Sequence, residues 1–229
     1  MIEPGRCESE KTLSNWPRIK TGEPFDFVCA GCGDCCRGRR DLVLSGYDLY
    51  RLARRLKLPP RLAADAFCRE YLAQESCLPT LLLRPNPRTG HCPFFESDAC
   101  TVHEARPLAC ALYPLGQEID PATGRMEYYC QTPLCGAKIP ESAETLQNYL
   151  DRSGVTERAG IDARWAVVCT QISQKLLDAG GWENPRVKPA ARRAAKALYY
   201  DYTIRDEFYP QFNANTAALM ELLDRILFH

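Results

Sequence analysis

The chain has 229 residues, 45% of them hydrophobic and 25% charged, enough to bury an apolar core in one domain or one domain with an appendage. Lysine and arginine equal aspartate and glutamate at 29 each, so no overall field draws the chain to nucleic acid or anionic lipid, and nucleic acid is not expected as a partner. No run approaches the about 20 apolar residues of a membrane span, Leu81-Leu82-Leu83 being far too short, so no membrane association is expected.

Residues 1–24 are polar, are interrupted by Pro4, Pro17 and Pro24, and read as an extended N-terminal arm. Met1 to Glu10 shows no basic, apolar and small-residue succession of a leader, so a reducing, cytoplasmic setting is expected. Phe25 to Val28 leads into the first cysteine run, where Gly31, Gly33 and Gly38 supply backbone freedom. Ser45 and Asp48 read as a helix cap, with Leu49, Leu52, Ala53 and Leu56 following at helical spacing until the chain approaches Pro59. The Pro59-Pro60 pair predicts a second helix burying Leu62, Ala66 and Ala73. Leu78 to Arg84 predicts a strand, with Phe94, Phe95 and Glu96 pairing back onto it as a hairpin across the turn-rich Pro85 to Gly90. Glu104 to Leu112 predicts one short helix carrying Arg106 and Cys110, and Gly124 to Tyr129 a strand after the Asp120 to Gly124 turn.

From Pro140 onward the pattern is helical. Leu146, Tyr149 and Leu150 mark one helix. Ile161, Trp165, Val168, Ile172 and Leu176 mark a longer one closed by Gly180-Gly181, Ala191, Ala195, Leu198 and Tyr202 a third, and Leu219, Leu222, Leu223, Ile226 and Leu227 a fourth. The expected fold is α+β and mainly α: an irregular, loop-rich, metal-stapled core of short strands and helices, followed by a C-terminal helical segment. The expected division is an arm at 1–24, a cysteine-cluster metal-binding domain at 25–139 and a helical segment at 140–229.

Of the thirteen cysteines, nine lie in three runs: Cys29, Cys32, Cys35 and Cys36; Cys92, Cys100 and Cys110; and Cys130 and Cys135. Spacing of this kind closes chelate rings around a soft cation, and the odd total leaves at least one cysteine outside any intramolecular disulfide pairing. A tetrahedral zinc ion takes four ligands, so nine thiols suit two sites or a polynuclear centre. Adjacent side chains diverge on regular backbone, which predicts that Cys35 and Cys36 bind neighbouring metals. An iron–sulfur cluster or iron, and alternatively zinc, are both compatible with all-thiolate ligation. His103, near Cys100 and Cys110, reads either as a ligand or as a hydrogen-bond donor to sulfur, Arg106 as a cation offsetting thiolate charge, and Asp34 as an acceptor for loop N–H groups. Cys7, Cys68, Cys77 and Cys169 read as non-ligands, with Cys68 and Cys169 inside helical patterns, and His91 as loop surface. Arg37, Arg39 and Arg40, and Lys188, Arg192, Arg193 and Lys196, read as solvated faces open to an acidic partner, while Tyr199, Tyr200 and Tyr202 read as packing groups.

The order Cys29-x2-Cys32-x2-Cys35-Cys36, Cys92, Cys100-x2-His103-x2-Arg106-Pro107-x2-Cys110, Cys130 and Cys135 resembles the CxxCxxCC cysteine-cluster family, also called YkgJ-like, over roughly residues 25 to 137. His103 stands where many members carry tyrosine. The resemblance implies zinc or iron chelation, with metal ions as the first partners. Flagellin lysine methylases thought to use an iron–sulfur cluster are among that family's relatives, which implies electron transfer or modification of a macromolecule as further expectations. A structural zinc adaptor or metal carrier, with a protein partner met by the C-terminal helices, is the alternative.

Overall fold

The computed structural model describes residues 15–25, 27–29, 32–37, 42–131 and 144–228. Within them the chain is mainly α with small sheets, the class read from the sequence. Helix α1 (Gly46–Leu56) begins where Ser45 accepts from the Asp48 N–H while the Asp48 carboxylate reaches back to the Ser45 N–H, a reciprocal cap. Lys57 ends it in a left-handed conformation that returns N–H groups to the last carbonyls. Gly46 is required at its start, because a Cβ there would overlap the Leu198 carbonyl oxygen.

Helix α2 (Pro60–Phe67) begins at the expected proline but buries Ala63 and Ala64 and leaves Leu62 and Ala66 exposed. It also stops sooner than expected. Cys68–Leu72 is strand β3, so Cys68 is a buried strand residue rather than a helical one. The reason is pairing: β3 runs antiparallel to β4 (Pro79–Leu83), which is flanked on its other side by β2 (Val43–Leu44). With both edges of β4 taken, Phe95–Glu96 (β5) pairs instead with Ala99–Cys100 (β6). The predicted 104–112 helix is divided. His103–Ala105 forms a single 3₁₀ turn, Arg106 is extended, and α3 (Leu108–Leu112) starts after Pro107, which disfavours helical backbone in the residue before it. Strand β7 (Leu115–Ile119) pairs with β8 (Met126–Cys130), whose other edge takes β1 (Arg18–Ile19).

The later helices follow the apolar stripes: α4 (Leu146–Arg152), α5 (Val155–Asp178), α6 (Val187–Ala195) and α7 (Phe208–Phe228). A π-helical turn at Lys196–Tyr200 continues α6 and buries Ala197, Leu198 and Tyr199 in succession. No helix among the described residues is long and apolar enough to cross a membrane.

Two cores result. The larger gathers Leu49 and Leu52 of α1, Leu81 of β4, Ile172 and Leu176 of α5, Leu198, and Phe212 and Leu223 of α7. Burying each such side chain contributes about 1.5–3 kcal/mol before entropy is charged. The smaller holds Phe25, Phe27, Tyr113, Leu115, Tyr128, Leu146 and Tyr149, with Phe25 edge-on to Tyr149 at 4.9 Å between centroids. Cys92, Cys100 and Cys110 fringe the first core, Cys35 and Cys130 the second. The thiols therefore gather at the seam between the two.

Candidate metal centre

The first cysteine run closes a tight turn. Gly33 has φ +76°, and the N–H groups of Cys36 and Arg37 both donate to its carbonyl, at 2.8 and 3.0 Å. A Cβ on Gly33 would overlap the Phe95 ring, so position 33 requires glycine both for its backbone and for the close approach. Because this backbone is a turn rather than a strand or helix, the Cys35 and Cys36 side chains do not diverge as expected: their Sγ atoms lie 3.9 Å apart. Two thiolates on one tetrahedral ion with bonds of about 2.3 Å stand about 3.8 Å apart. The pair thus matches one edge of a single tetrahedron.

Arg37 braces the turn. It donates to the Cys32 carbonyl at 2.7 Å, to Asp34 at 3.1 Å and to Asp98 at 2.8 Å, and lies over Phe95 at 5.0 Å. The Asp34 carboxylate accepts from the Arg37 guanidinium. The second run is joined to the first through the Cys92 N–H, which donates to the Cys36 carbonyl at 2.9 Å. The β5–β6 hairpin carries Cys100, directly opposite Phe95, and α3 carries Cys110.

A cavity of about 600 Å³ is lined by Cys29, Cys35, Cys36, Cys92, Cys100 and Cys110. His103, Arg106, Tyr149 and Arg152 also face it, against a wall that includes Val28, Phe94 and Phe95. Cys32 and Cys130 do not line it. Cys130 sits at the end of β8, its N–H donating to the Pro17 carbonyl at 2.9 Å. Cys135, like Cys7, Gly31, Gly38, Arg39 and Arg40, lies outside the described residues. Among the described residues no three His, Cys, Asp or Glu side chains meet in a metal-holding group, and no disulfide joins the cysteines. The thiols line a shared space without closing on one point.

The surroundings favour the protonated form of several of these thiols. The hydrogen bond shared with Cys35, followed by burial, pushes the Cys36 thiol up, and burial is the leading cause for Cys92, Cys100 and Cys130. Arg106 acts in the opposite sense on Cys100. His103 contacts Arg106 Nη1 through Nε2 at 2.6 Å and Nδ1 at 3.1 Å, and burial, reinforced by Arg106, lowers its pKa.

Three contributors had no motif to announce them. Tyr149 places its hydroxyl 2.6 Å from the Tyr113 carbonyl oxygen, and burial holds its pKa up at about 12, so it remains a neutral donor. Arg152 donates to the Phe27 carbonyl at 2.8 Å and pairs with Glu144. Asp48, read only as a cap, also accepts the Leu108 N–H at 2.9 Å, at the start of the helix bearing Cys110. Only the spatial neighbourhood, not sequence spacing, reveals these.

Residues 28–132 match the profile of the CxxCxxCC family, described as "Putative zinc- or iron-chelating domain". No curated protein and no solved structure gives a significant match to the chain.

Proposed function

We propose that the CxxCxxCC domain at residues 28–132, a metal-binding domain by its family, uses its cysteines to hold a thiolate-ligated centre of at least two iron or zinc ions. The proposed ligands are Cys29, Cys32, Cys35, Cys36, Cys92, Cys100, Cys110, Cys130 and Cys135. One observation carries the reading: six thiols from two widely separated segments face one cavity. Six thiolates exceed the four that a single tetrahedral ion accepts, and the cavity exceeds the needs of one ion.

The Cys35–Cys36 spacing narrows the kind of centre. Four cysteines spread over four irons give one apiece; over two irons they give two apiece. A pair 3.9 Å apart suits an ion that takes both thiolates, as in a two-iron cluster or a zinc site. The metal when bound would supply either electron storage, if iron, or a fixed cross-link, if zinc. Arg106 offsets the negative charge of the thiolates, and the apolar wall lowers the local dielectric, which strengthens that pairing. A reducing, cytoplasmic setting belongs to the same reading, since thiols must stay reduced to bind.

A structural zinc role is the second reading, supported by the position of the thiols at the seam of the two cores, where a bound ion would tie both together. Anaerobic purification separates the two. Iron-loaded protein absorbs visibly through thiolate charge transfer and bleaches or shifts on reduction, whereas zinc-loaded protein is colourless and loses fold on chelation.

A further inference from the structure

The segment that carries Cys100, His103, Arg106 and Cys110 is held along its backbone by one face of α1. Arg55 donates to the Thr101 carbonyl at 3.1 Å, Arg51 to the carbonyls of Glu104 and Arg106, and Asp48 accepts the Leu108 N–H at 2.9 Å. These three residues recur along a single helical face. Because Pro107 has no N–H, Leu108 supplies the first orphan donor of α3, and Asp48 caps it from another helix.

Asp48 is 3% exposed, a costly position for a carboxylate unless it is paired. Its partner comes from outside the matched domain. Arg158 of α5, 2% exposed, donates from Nη1 to Asp48 Oδ1 at 2.8 Å and from Nε and Nη2 to Asp162 at 2.7 and 2.9 Å. Its guanidinium also lies over Tyr47 at 5.1 Å. The same carboxylate oxygen, Asp48 Oδ1, thus receives Arg158 on one side and the Leu108 N–H on the other.

We infer that Arg158 is a positioning residue for the metal centre, acting through Asp48 to fix the start of α3 and with it Cys110 and Arg106, so that α5 is a working part of the metal-binding unit. The inference rests on the metal reading above. Removing Arg158 strands two buried carboxylates, and Asp48 then no longer presents an anchored acceptor to Leu108. By reciprocity, metal that favours the ordered α3 also favours the docked α5.

The test uses the full-length chain loaded with zinc, with release followed by a chromogenic chelator under reducing conditions. Arg158→Met is expected to speed release about tenfold, the lower range for residues that orient metal ligands, and Arg158→Lys, which keeps the charge but not the fork, is expected to fall between it and the unaltered protein. Ile172→Ala, on the same helix but buried in the larger core, supplies a control that weakens the fold without touching Asp48. It should lower the melting temperature while leaving the zinc-induced increment and the release rate near those of the unaltered protein. Should Arg158→Met fail to fold, Arg158→Lys carries the comparison alone. Release from the arginine variants as slow as from the unaltered chain, or equally fast release from Ile172→Ala, overturns the positioning role. An unaltered chain that takes up no metal refutes the metal reading itself, and this inference with it.

Discussion

The Cys92 backbone N–H donates to the Cys36 carbonyl at 2.9 Å, tying the last cysteine of the first run to the first cysteine of the second. The bond is made by main-chain atoms, so it fixes the relative position of two thiol-bearing segments without using either thiol. It partly offsets the loop-closure entropy that metal binding would otherwise have to meet.

The adjacent thiols at 35 and 36 give the sharpest mutational contrast. Cys35→Ser and Cys36→Ser should each lower the metal bound per chain, while Cys169→Ser, at a residue that does not line the cavity, should leave it unchanged. Metal analysis of the three purified variants checks this, and unchanged loading in both cluster variants would refute the ligand assignment.

Gly33→Ala should destabilise the metal-free chain by about 1–3 kcal/mol, from the positive φ and the displaced Phe95 ring. It should also impair loading, because the turn that brings Cys35 and Cys36 together is the element disturbed. Denaturant melts and metal content measured on the same sample test both effects.

His103 has its ring nitrogens engaged by Arg106, and burial keeps it neutral near pH 7. His103→Ala should therefore keep the metal stoichiometry and shift the absorption spectrum or reduction potential as Arg106 is released. Loss of a metal ion from the variant would make His103 a ligand instead.

Cys68 gives a pH signature independent of metal. Burial pushes its thiol up to about 12 from an ordinary value of 9.0. Between these values the unfolded chain loses the proton and the folded chain keeps it. The folded state then binds more protons, and stability falls as pH rises, by about 4 kcal/mol at the upper end. Urea melts of the metal-free protein at about pH 8 and about pH 11 should show a loss of which Cys68 supplies about 2–3 kcal/mol, and Cys68→Ala should reduce the pH dependence by that amount.

The sequence made the helices legible because each carries its own signal: the Ser45–Asp48 cap, the Pro60 start, and the α5 stripe at Val168, Ile172 and Leu176. Strand partners were not legible. Nothing local to Phe95 says that β4 already has both edges occupied by β2 and β3. Leu62 exposed and Ala63 buried likewise reflect which side of α2 meets the core, which a short helix whose only polar residues are Arg61 and Asp65 does not encode. At the site, the thiols announced themselves by spacing. The convergence of Cys35 and Cys36 depended on a turn whose geometry only the folded backbone supplies, and Arg158 reached Asp48 from a helix far along the chain.

X-ray absorption at the metal edge, with elemental analysis, on anaerobically purified full-length protein tests directly whether the cysteines hold a thiolate-ligated centre. At least two zinc or iron ions per chain are expected in a shell dominated by sulfur at about 2.3 Å, with a metal–metal vector if the ions share ligands. A chain without bound metal, or a single ion in a nitrogen and oxygen shell, would contradict that expectation.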